Sequence, residues 1–133
     1  MKDVIKVGIP RALLYYNYYT SWKKFFESLG VKVILSDITT KKTINDGVKV
    51  AVDETCLPVK LFLGHLQNLK SKEVDYIFCP RVISLEPKRY LCPKFLGLPN
   101  MATHLIPNLP PLLDLEVNLH KKPEELPKQL YRL

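Results

Sequence analysis

The first 35 residues alternate between strand-like and helix-like patterns, and this alternation constrains the fold more than any other feature. Residues 4–9 form a β-branched run that ends at a Gly-Ile-Pro turn. Residues 12–29 place apolar side chains three or four apart, which is typical of an amphipathic helix, and Gly30 provides a stop. Residues 31–35 return to a strand pattern. A strand, a helix and a strand in so short a stretch predict a βαβ unit of a parallel sheet.

The next segment continues the α/β order. A threonine pair at residues 39–40 can cap a second helix that runs towards residue 47, and the alternating valines of residues 48–52 fit either its tail or a short extended segment. Residues 57–70 predict a third helix, with a proline in its first turn, where a missing N–H costs nothing. Residues 74–79 predict a third core strand.

The C-terminal part differs in composition. Nine of the eleven prolines lie between Pro80 and Pro127. Because proline cannot donate a backbone hydrogen bond, we predict mostly loops and short turns there, with one strand near residues 112–117. The predicted fold class is therefore α/β, with a mostly parallel sheet and an irregular proline-rich C-terminal part.

Charge and hydropathy exclude several classes of protein. The formal net charge is +7, but the basic residues are scattered as pairs, and neither zinc-finger spacing nor an RNA-recognition signature accompanies them. We therefore expect no nucleic-acid partner. No apolar run approaches the roughly 20 residues that span a bilayer, and the N-terminus lacks the pattern of a secretory signal. We expect a cytoplasmic protein with no membrane partner.

Three cysteines, Cys56, Cys79 and Cys92, are the candidate chemistry-bearing residues. Their odd number and the absence of a Cys-x-x-Cys pair argue against a disulfide framework. Cys56 lies at the entrance of the third predicted helix, where a thiolate is favoured, and Cys79 ends the third strand, where sites form in open α/β sheets. Proline follows each cysteine directly or after one residue, as it does in some iron–sulfur loops. For Cys79, which follows Phe78, a core position is the favoured interpretation.

Basic side chains surround the cysteines in sequence and could offset the charge of a thiolate cluster. They are Lys60, Arg81, Lys88, Arg89 and Lys94. His65 falls at the edge of the apolar face of the third helix, so we interpret it as a packed or surface residue rather than a ligand.

Several segments resemble the CoA-substrate-specific enzyme activase-related proteins, whose domain is similar to the iron–sulfur subunits of 2-hydroxyacyl-CoA dehydratases. The segments are residues 8–13 (GIPRAL), 52–60 (VDExCLPVK) with Gly64-His65, 75–81 (DYIFxPR) and 90–94 (YxCPK), where x marks a position outside the resemblance. The resemblance covers about residues 4–111, and the Cys-Leu-Pro-Val-Lys block with its Gly-His pair is the most specific part.

The resemblance implies a Rossmann-like, three-layer α/β domain of the cluster-binding type over residues 1–111, followed by a C-terminal extension over residues 112–133. It also implies cysteine ligands for a 4Fe–4S or double-cubane cluster, and an actin-like ATPase activase domain or subunit as partner. Cys56 and Cys92 match the family's cysteines, whereas the position of Cys79 is usually aliphatic there. Two cysteines cannot complete a cubane, so further ligands would come from Cys79, from sequence outside this chain or from a second subunit.

We therefore predict an iron–sulfur electron-transfer domain that works with an ATP-dependent activase in 2-hydroxyacyl-CoA dehydratase-like systems, as a component rather than a complete enzyme. The predicted metal ligands are Cys56, Cys92 and Cys79, and the predicted cofactor-binding cations are Lys60, Arg81 and Lys94. The alternative is a metal-free, non-catalytic α/β interaction module that docks a partner subunit or a second copy through the tyrosines of residues 15–19 and the proline-rich tail. A zinc site formed by the three cysteines and His104 ranks last, because zinc ligands usually lie two to four residues apart.

Overall fold

The computed structural model describes residues 4–84, 92 and 94–118. Its strands are β1 (Lys6–Ile9), β2 (Lys32–Leu35), β3 (Tyr76–Phe78), β4 (Arg81–Ser84), β5 (Leu112–Leu113) and β6 (Glu116–Asn118). Its helices are α1 (Tyr15–Ser28), α2 (Lys41–Val50), α3 (Leu57–Ser71) and α4 (Lys94–Leu105). Within these residues the main sheet has the order β2-β1-β3-β5, and all its pairings are parallel.

The predicted βαβ unit is confirmed as β1, α1 and β2. Gly30 ends α1 with a φ of 78°, in the left-handed region that glycine adopts without strain. The Gly30 N–H donates to the Glu27 carbonyl at 3.0 Å, and the Val31 N–H donates to the Phe26 carbonyl at 3.1 Å. This pair of bonds is a Schellman motif, which satisfies two of the last carbonyls and turns the chain into β2.

Alternate residues of the strands face two different cores. Val7, Ile9 and Phe78 pack with Tyr15 and Phe26 of α1, forming a largely aromatic core on one face of the sheet. The opposite face packs against α3 and α4, with a core that includes Ile77, Cys79, Leu63, Leu66, Leu98 and Ala102. Because the sheet lies between helices on both faces, the predicted three-layer, Rossmann-like α/β fold is confirmed.

Helix α2 begins where the threonine pair predicts it. The Thr40 hydroxyl accepts from the Thr43 N–H, and the Thr43 hydroxyl accepts from the Thr40 N–H, which completes a capping box. The helix continues to Val50, so Val48 and Val50 belong to its tail rather than to an extended segment.

Two glycines bring α2 and α3 into backbone contact. A Cβ on Gly47 would lie 1.9 Å from the Lys60 carbonyl oxygen, and a Cβ on Gly64 would lie 2.0 Å from that of Thr43. The earlier residue of α2, Thr43, contacts the later residue of α3, Gly64, and Gly47 contacts the earlier Lys60. The two helices are therefore antiparallel. Any side chain at either glycine would force the helices apart.

The prediction of loops after residue 80 is wrong for residues 94–105, which form α4 around Pro99. Proline inside a helix removes one hydrogen bond and costs about 3 kcal/mol. Leu98, Ala102 and Ile106 are spaced four apart and are 3%, 0% and 1% exposed. Burial of this apolar face offsets the free-energy cost of the proline. The local sequence pattern does not reveal this burial.

The predicted strand near residues 112–117 forms as two short strands, β5 and β6. The Cys79 N–H donates to the Leu113 carbonyl at 3.0 Å, and the Arg81 N–H donates to the Leu115 carbonyl at 2.7 Å. The ladder between β3 and β5 therefore continues into β4 and β6. This two-stranded extension runs past the carboxyl ends of β1 and β2.

Candidate functional site

The strand order places a topological switch point between β1 and β3. The chain leaves β1 towards β2 on one side and returns to β3 on the other, and ligands of open α/β sheets bind at such points. A crevice with an empty volume of about 320 Å³ lies there, lined by residues 10 and 12–14 after β1, by Cys79, Pro80 and Val82, and by Phe62 and Leu98. The enclosed cavity in this crevice is about 20 Å³, which is room for about one water molecule.

Cys79 lines this crevice from the core. Its side chain is 1% exposed. Burial raises the pKa of the Cys79 thiol to about 12, and the opposing effect of the Arg81 charge is smaller. The core position favoured by the sequence is confirmed, and the group is a neutral thiol at neutral pH.

Cys56 and Cys92 lie at the entrances of the two helices that pack on the same face of the sheet. Cys56 is exposed and is the N-cap residue of α3. Cys92 is exposed and comes two residues before α4. Phe62 and Leu98, each six residues after one of these cysteines, line the same crevice. Both cysteines therefore lie at the end of the fold where the strands have their carboxyl ends.

The far ends of the two helices support this placement. The Lys70 ammonium in the last turn of α3 donates to the Pro107 carbonyl, just after α4, at 2.5 Å. A Cβ on Gly8 would meet the Leu69 side chain, so the end of α3 lies beside β1 below the crevice. The two helices therefore point their N-termini the same way.

The three predicted cations lie in different surroundings. The Lys60 ammonium donates to the Asp53 carbonyl at 3.1 Å, in the turn that precedes Cys56. Arg81 donates to Asp114 Oδ2 from Nε at 3.0 Å and from Nη2 at 2.9 Å, and Nη2 also donates to Asn100 Oδ1. Lys94 is the first residue of α4, and its side chain lies outside the described part. Lys88 and Arg89 also lie outside it.

Within the described residues, which include all three cysteines, no group of three or more His, Cys, Asp or Glu side chains is arranged to hold a metal ion. The three cysteines and His104 therefore do not form the zinc site that ranked last. Cys56 and Cys92 are exposed thiols, the chemical type of ligand that iron–sulfur clusters take. Cys79, whose side chain is 1% exposed, presents no third thiol at the surface.

His65 is fully buried in a hydrogen-bonded network, so its interpretation as a packed residue is confirmed. Its Nδ1 lies 2.7 Å from the Ser36 hydroxyl and its Nε2 lies 2.8 Å from the Thr39 hydroxyl. Ser36 Oγ also accepts the Arg11 N–H at 2.8 Å, so we assign the serine proton to Nδ1 and the ring proton to Nε2. Burial, followed by the Arg11 charge, lowers the pKa of His65, which keeps the ring neutral.

The sequence patterns predict no role for Arg11, although it lies in the Gly-Ile-Pro-Arg-Ala-Leu segment of residues 8–13. Its Nε donates to the Ser36 carbonyl at 2.6 Å, which joins the end of β1 to the end of β2. The signal that could have found it is a repeated Pro-Arg pair. Pro10-Arg11 follows β1, and Pro80-Arg81 follows β3.

The tyrosines of α1 divide between core and surface, as the helical pattern predicts. Tyr15 is buried and Tyr19 packs against the aromatic core. Tyr16 is 70% exposed, and Tyr18 is 36% exposed and stacks on Trp22. Two tyrosines therefore remain at the surface.

A comparison with known protein families identifies the family of the chain. A family described as "CoA enzyme activase uncharacterised domain (DUF2229)" matches residues 6–133. The chain belongs to this family. The resemblance read from the quoted segments is thereby confirmed. Searches of curated proteins and of solved structures found no match. Among the helices of the described residues, none is both long and apolar enough to cross a membrane.

Proposed function

We propose that this CoA enzyme activase-family domain holds an iron–sulfur cluster, of the 4Fe–4S or double-cubane type, with Cys56 and Cys92 as thiolate ligands. The observation that supports this proposal is the common position of the two thiols. Both are exposed, both precede a helix on the same face of the sheet, and each lies six residues before a side chain that lines the same crevice.

The surroundings of Cys56 suit an anionic cluster. The first N–H groups of α3 and the positive end of its dipole stabilise an anion at the N-cap. Lys60 lies one turn further on, and its bond to the Asp53 carbonyl holds the ammonium in the turn before Cys56. When bound, the cluster would accept and pass on single electrons at low potential for a 2-hydroxyacyl-CoA dehydratase-like reaction. We place this system in a reducing cytoplasm, where free thiols persist.

The proposal includes a partner that completes the site. Val52 and Leu57 flank the turn that carries Cys56 in sequence, and Val48 lies in the last turn of α2; they are 61%, 56% and 49% exposed. Apolar side chains beside an exposed ligand suit an interface that would bury the cluster. We assign this partner role to an actin-like ATPase activase domain or subunit, which would use ATP to drive electron transfer.

Anaerobic reconstitution with iron and sulfide tests the proposal on the whole chain. Wild-type protein, with an added small-molecule thiol to fill the ligand positions that the chain does not supply, should gain iron, sulfide and a visible charge-transfer band. Cys56→Ala and Cys92→Ala should each lower the iron content, and the double variant should lose it. Cys79→Ala is the matched control, because the buried thiol should contribute no ligand, and iron per folded protein should be retained. An iron content in the double variant equal to that of wild type would overturn the proposal.

The exposed apolar residues also favour a second candidate, a metal-free interaction module. In that case the Cys56→Ala/Cys92→Ala variant should still associate with itself or with a partner subunit, and Val48→Lys/Val52→Lys should not. Sedimentation analysis of both variants at high protein concentration separates the two functions. A strictly monomeric wild-type protein that retains no partner in a pull-down would remove this candidate.

A further inference from the structure

Arg11 carries a charge at the carboxyl end of β1 that no carboxylate in the described part of the chain neutralises. The ion pairs there involve other cations, namely Lys23, Lys42, Lys72 and Arg81. The Arg11 side chain donates instead from Nε to the Ser36 carbonyl at 2.6 Å. The two Nη groups, which form the outer part of the guanidinium, have no described partner.

The position of Arg11 is fixed from three directions. Its backbone N–H donates to the Ser36 hydroxyl at 2.8 Å, its carbonyl accepts the Tyr16 hydroxyl at 3.0 Å, and its Nε holds Ser36 again. Ser36 in turn is 1% exposed and bonded to the buried His65. A planar guanidinium that is already oriented loses little further side-chain entropy when it binds an oxyanion.

The Asp37 carboxylate interacts electrostatically with Arg11 but forms no ion pair with it in the described part of the chain. Asp37 follows Ser36 but is occupied by Lys72, at 2.9 Å, and by the Asn68 amide, at 3.0 Å. Those two groups are the main reasons that the pKa of Asp37 lies below its usual value, and Arg11 contributes least. His65 is held neutral by burial, so it adds no charge of its own.

We propose that Arg11 anchors an anion-binding subsite at the carboxyl end of β1, which takes a carboxylate or phosphate group of a small-molecule ligand on its two Nη groups. Ligands of open α/β sheets bind at the carboxyl ends of the strands. The guanidinium fork binds the oxygens of carboxylates and phosphates bidentately. The subsite requires neither iron nor a partner subunit, so it stands apart from the proposed cluster.

NMR titration of the metal-free protein tests the subsite, with inorganic phosphate and acetate as separate probes at constant ionic strength. The resonances of Arg11 Nε–H and of the amides of residues 11–16 should shift saturably with at least one probe, beyond the effect of chloride. The probe that binds more tightly identifies the anionic group. Loss of the bidentate contact in Arg11→Gln should weaken that binding about tenfold or more.

Two further variants keep the experiment decisive. Arg11→Lys keeps the charge but not the fork, so its binding should fall between that of wild type and that of Arg11→Gln. Lys32→Gln removes one positive charge at the other end of the sheet and should bind as wild type does. The amide spectrum of each variant shows whether the fold is kept, which is expected because the Arg11 N–H bond to Ser36 does not use the side chain. Equal shifts in wild type and in folded Arg11→Gln, or no saturable shift in wild type, would overturn the subsite without touching the cluster.

Discussion

Helices α3 and α4 both pack on one face of the sheet and both follow a cysteine, yet they are held in place differently. In α3 the only proline lies in the first turn, and Gly64 and the buried His65 join the helix to α2 and β2. In α4, Pro99 interrupts the hydrogen bonding and no described atom lies within 4 Å of a Cβ built on Gly97. Polar contact with α4 comes from Arg81, through Asn100.

The two helices are therefore held in position by different kinds of contact. α3 is fixed along its length by backbone contact with another helix, whereas α4 is fixed mainly by an apolar face and by a polar contact near its middle. If Cys56 and Cys92 act at the same site, the side formed by α3 is the more rigid one.

Cysteine labelling should show the largest effect. Iodoacetamide at neutral pH should modify Cys56 and Cys92 readily, because both side chains are exposed. Cys79 reacts only when the core opens, and unfolded fractions of about 10⁻³ to 10⁻⁶ predict labelling at least about 1,000-fold slower. Mass spectrometry of timed samples measures the three rates. Labelling of Cys79 as fast as the other two would show that the crevice opens readily.

A pair of glycine substitutions compares the packing of the two helices directly. Gly64→Ala places a Cβ against the Thr43 carbonyl and should lower the free energy of unfolding by about 3 kcal/mol. Gly97→Ala meets no described atom and replaces a helical glycine, so it should raise that free energy by about 0.5–1 kcal/mol. Urea denaturation followed by circular dichroism measures both. Equal effects of the two substitutions would contradict the contrast.

Replacement of His65 should remove part of the acid sensitivity of the fold. Because its folded pKa lies below the unfolded value of 6.5, the unfolded chain binds the proton first as pH falls. Wild-type stability is therefore unaffected by this group above about pH 6.5 and decreases from there down to the folded pKa. His65→Gln should cost about 2 kcal/mol at pH 7.5, through the lost bonds to Ser36 and Thr39.

As the pH falls, the difference in free energy of unfolding between wild type and His65→Gln should narrow, because the variant has no histidine to protonate at this position. His104→Gln is the matched control, because His104 is exposed in the last turn of α4. It should leave the free energy of unfolding at pH 7.5 close to that of wild type. A gap between His65→Gln and wild type that stays constant from pH 7.5 to 5 would show that His65 is not kept neutral by the fold.

The smallest loss of stability is expected at the ion pair between Arg81 and Asp114. The side chain of Asp114 is 45% exposed, so Asp114→Asn should lower the free energy of unfolding by only about 0.5–1 kcal/mol. The loss should shrink at about 1 M salt, where charges are screened. Thermal unfolding at low and high salt measures it. A loss of several kcal/mol would mean that α4 and β5 depend on this pair far more than its exposure indicates.

The same contrast explains what the sequence could predict. The third helix was predicted at residues 57–70 and is observed at Leu57–Ser71, because its apolar period and first-turn proline agree with the fold. Helix α4 was missed because Pro99 opposes a helix locally, and only burial of Leu98 and Ala102 against the sheet outweighs it. Local patterns predict an element when local and tertiary preferences agree.

The candidate site was predicted in part for the same reason. The placement of Cys56 at a helix entrance follows from the local pattern around it. The contacts of His65 with Ser36 and Thr39 join residues 29 and 26 positions apart, and the approach of Gly47 to Lys60 depends on the crossing of two helices. No local pattern encodes such pairings, so the network that orients Arg11 emerged only from the folded chain.

The central position of β1 also imposes an order on folding. Lys6 pairs with Lys32 of β2, but its other neighbour is Asp75, 69 residues away along the chain. Because closing longer loops costs more entropy, we expect β1, α1 and β2 to assemble first and β3 to join later. Until then β1 has an unpaired edge, which is a template for strand pairing between molecules. Newly made chains are therefore most prone to aggregate before residue 75 is in place.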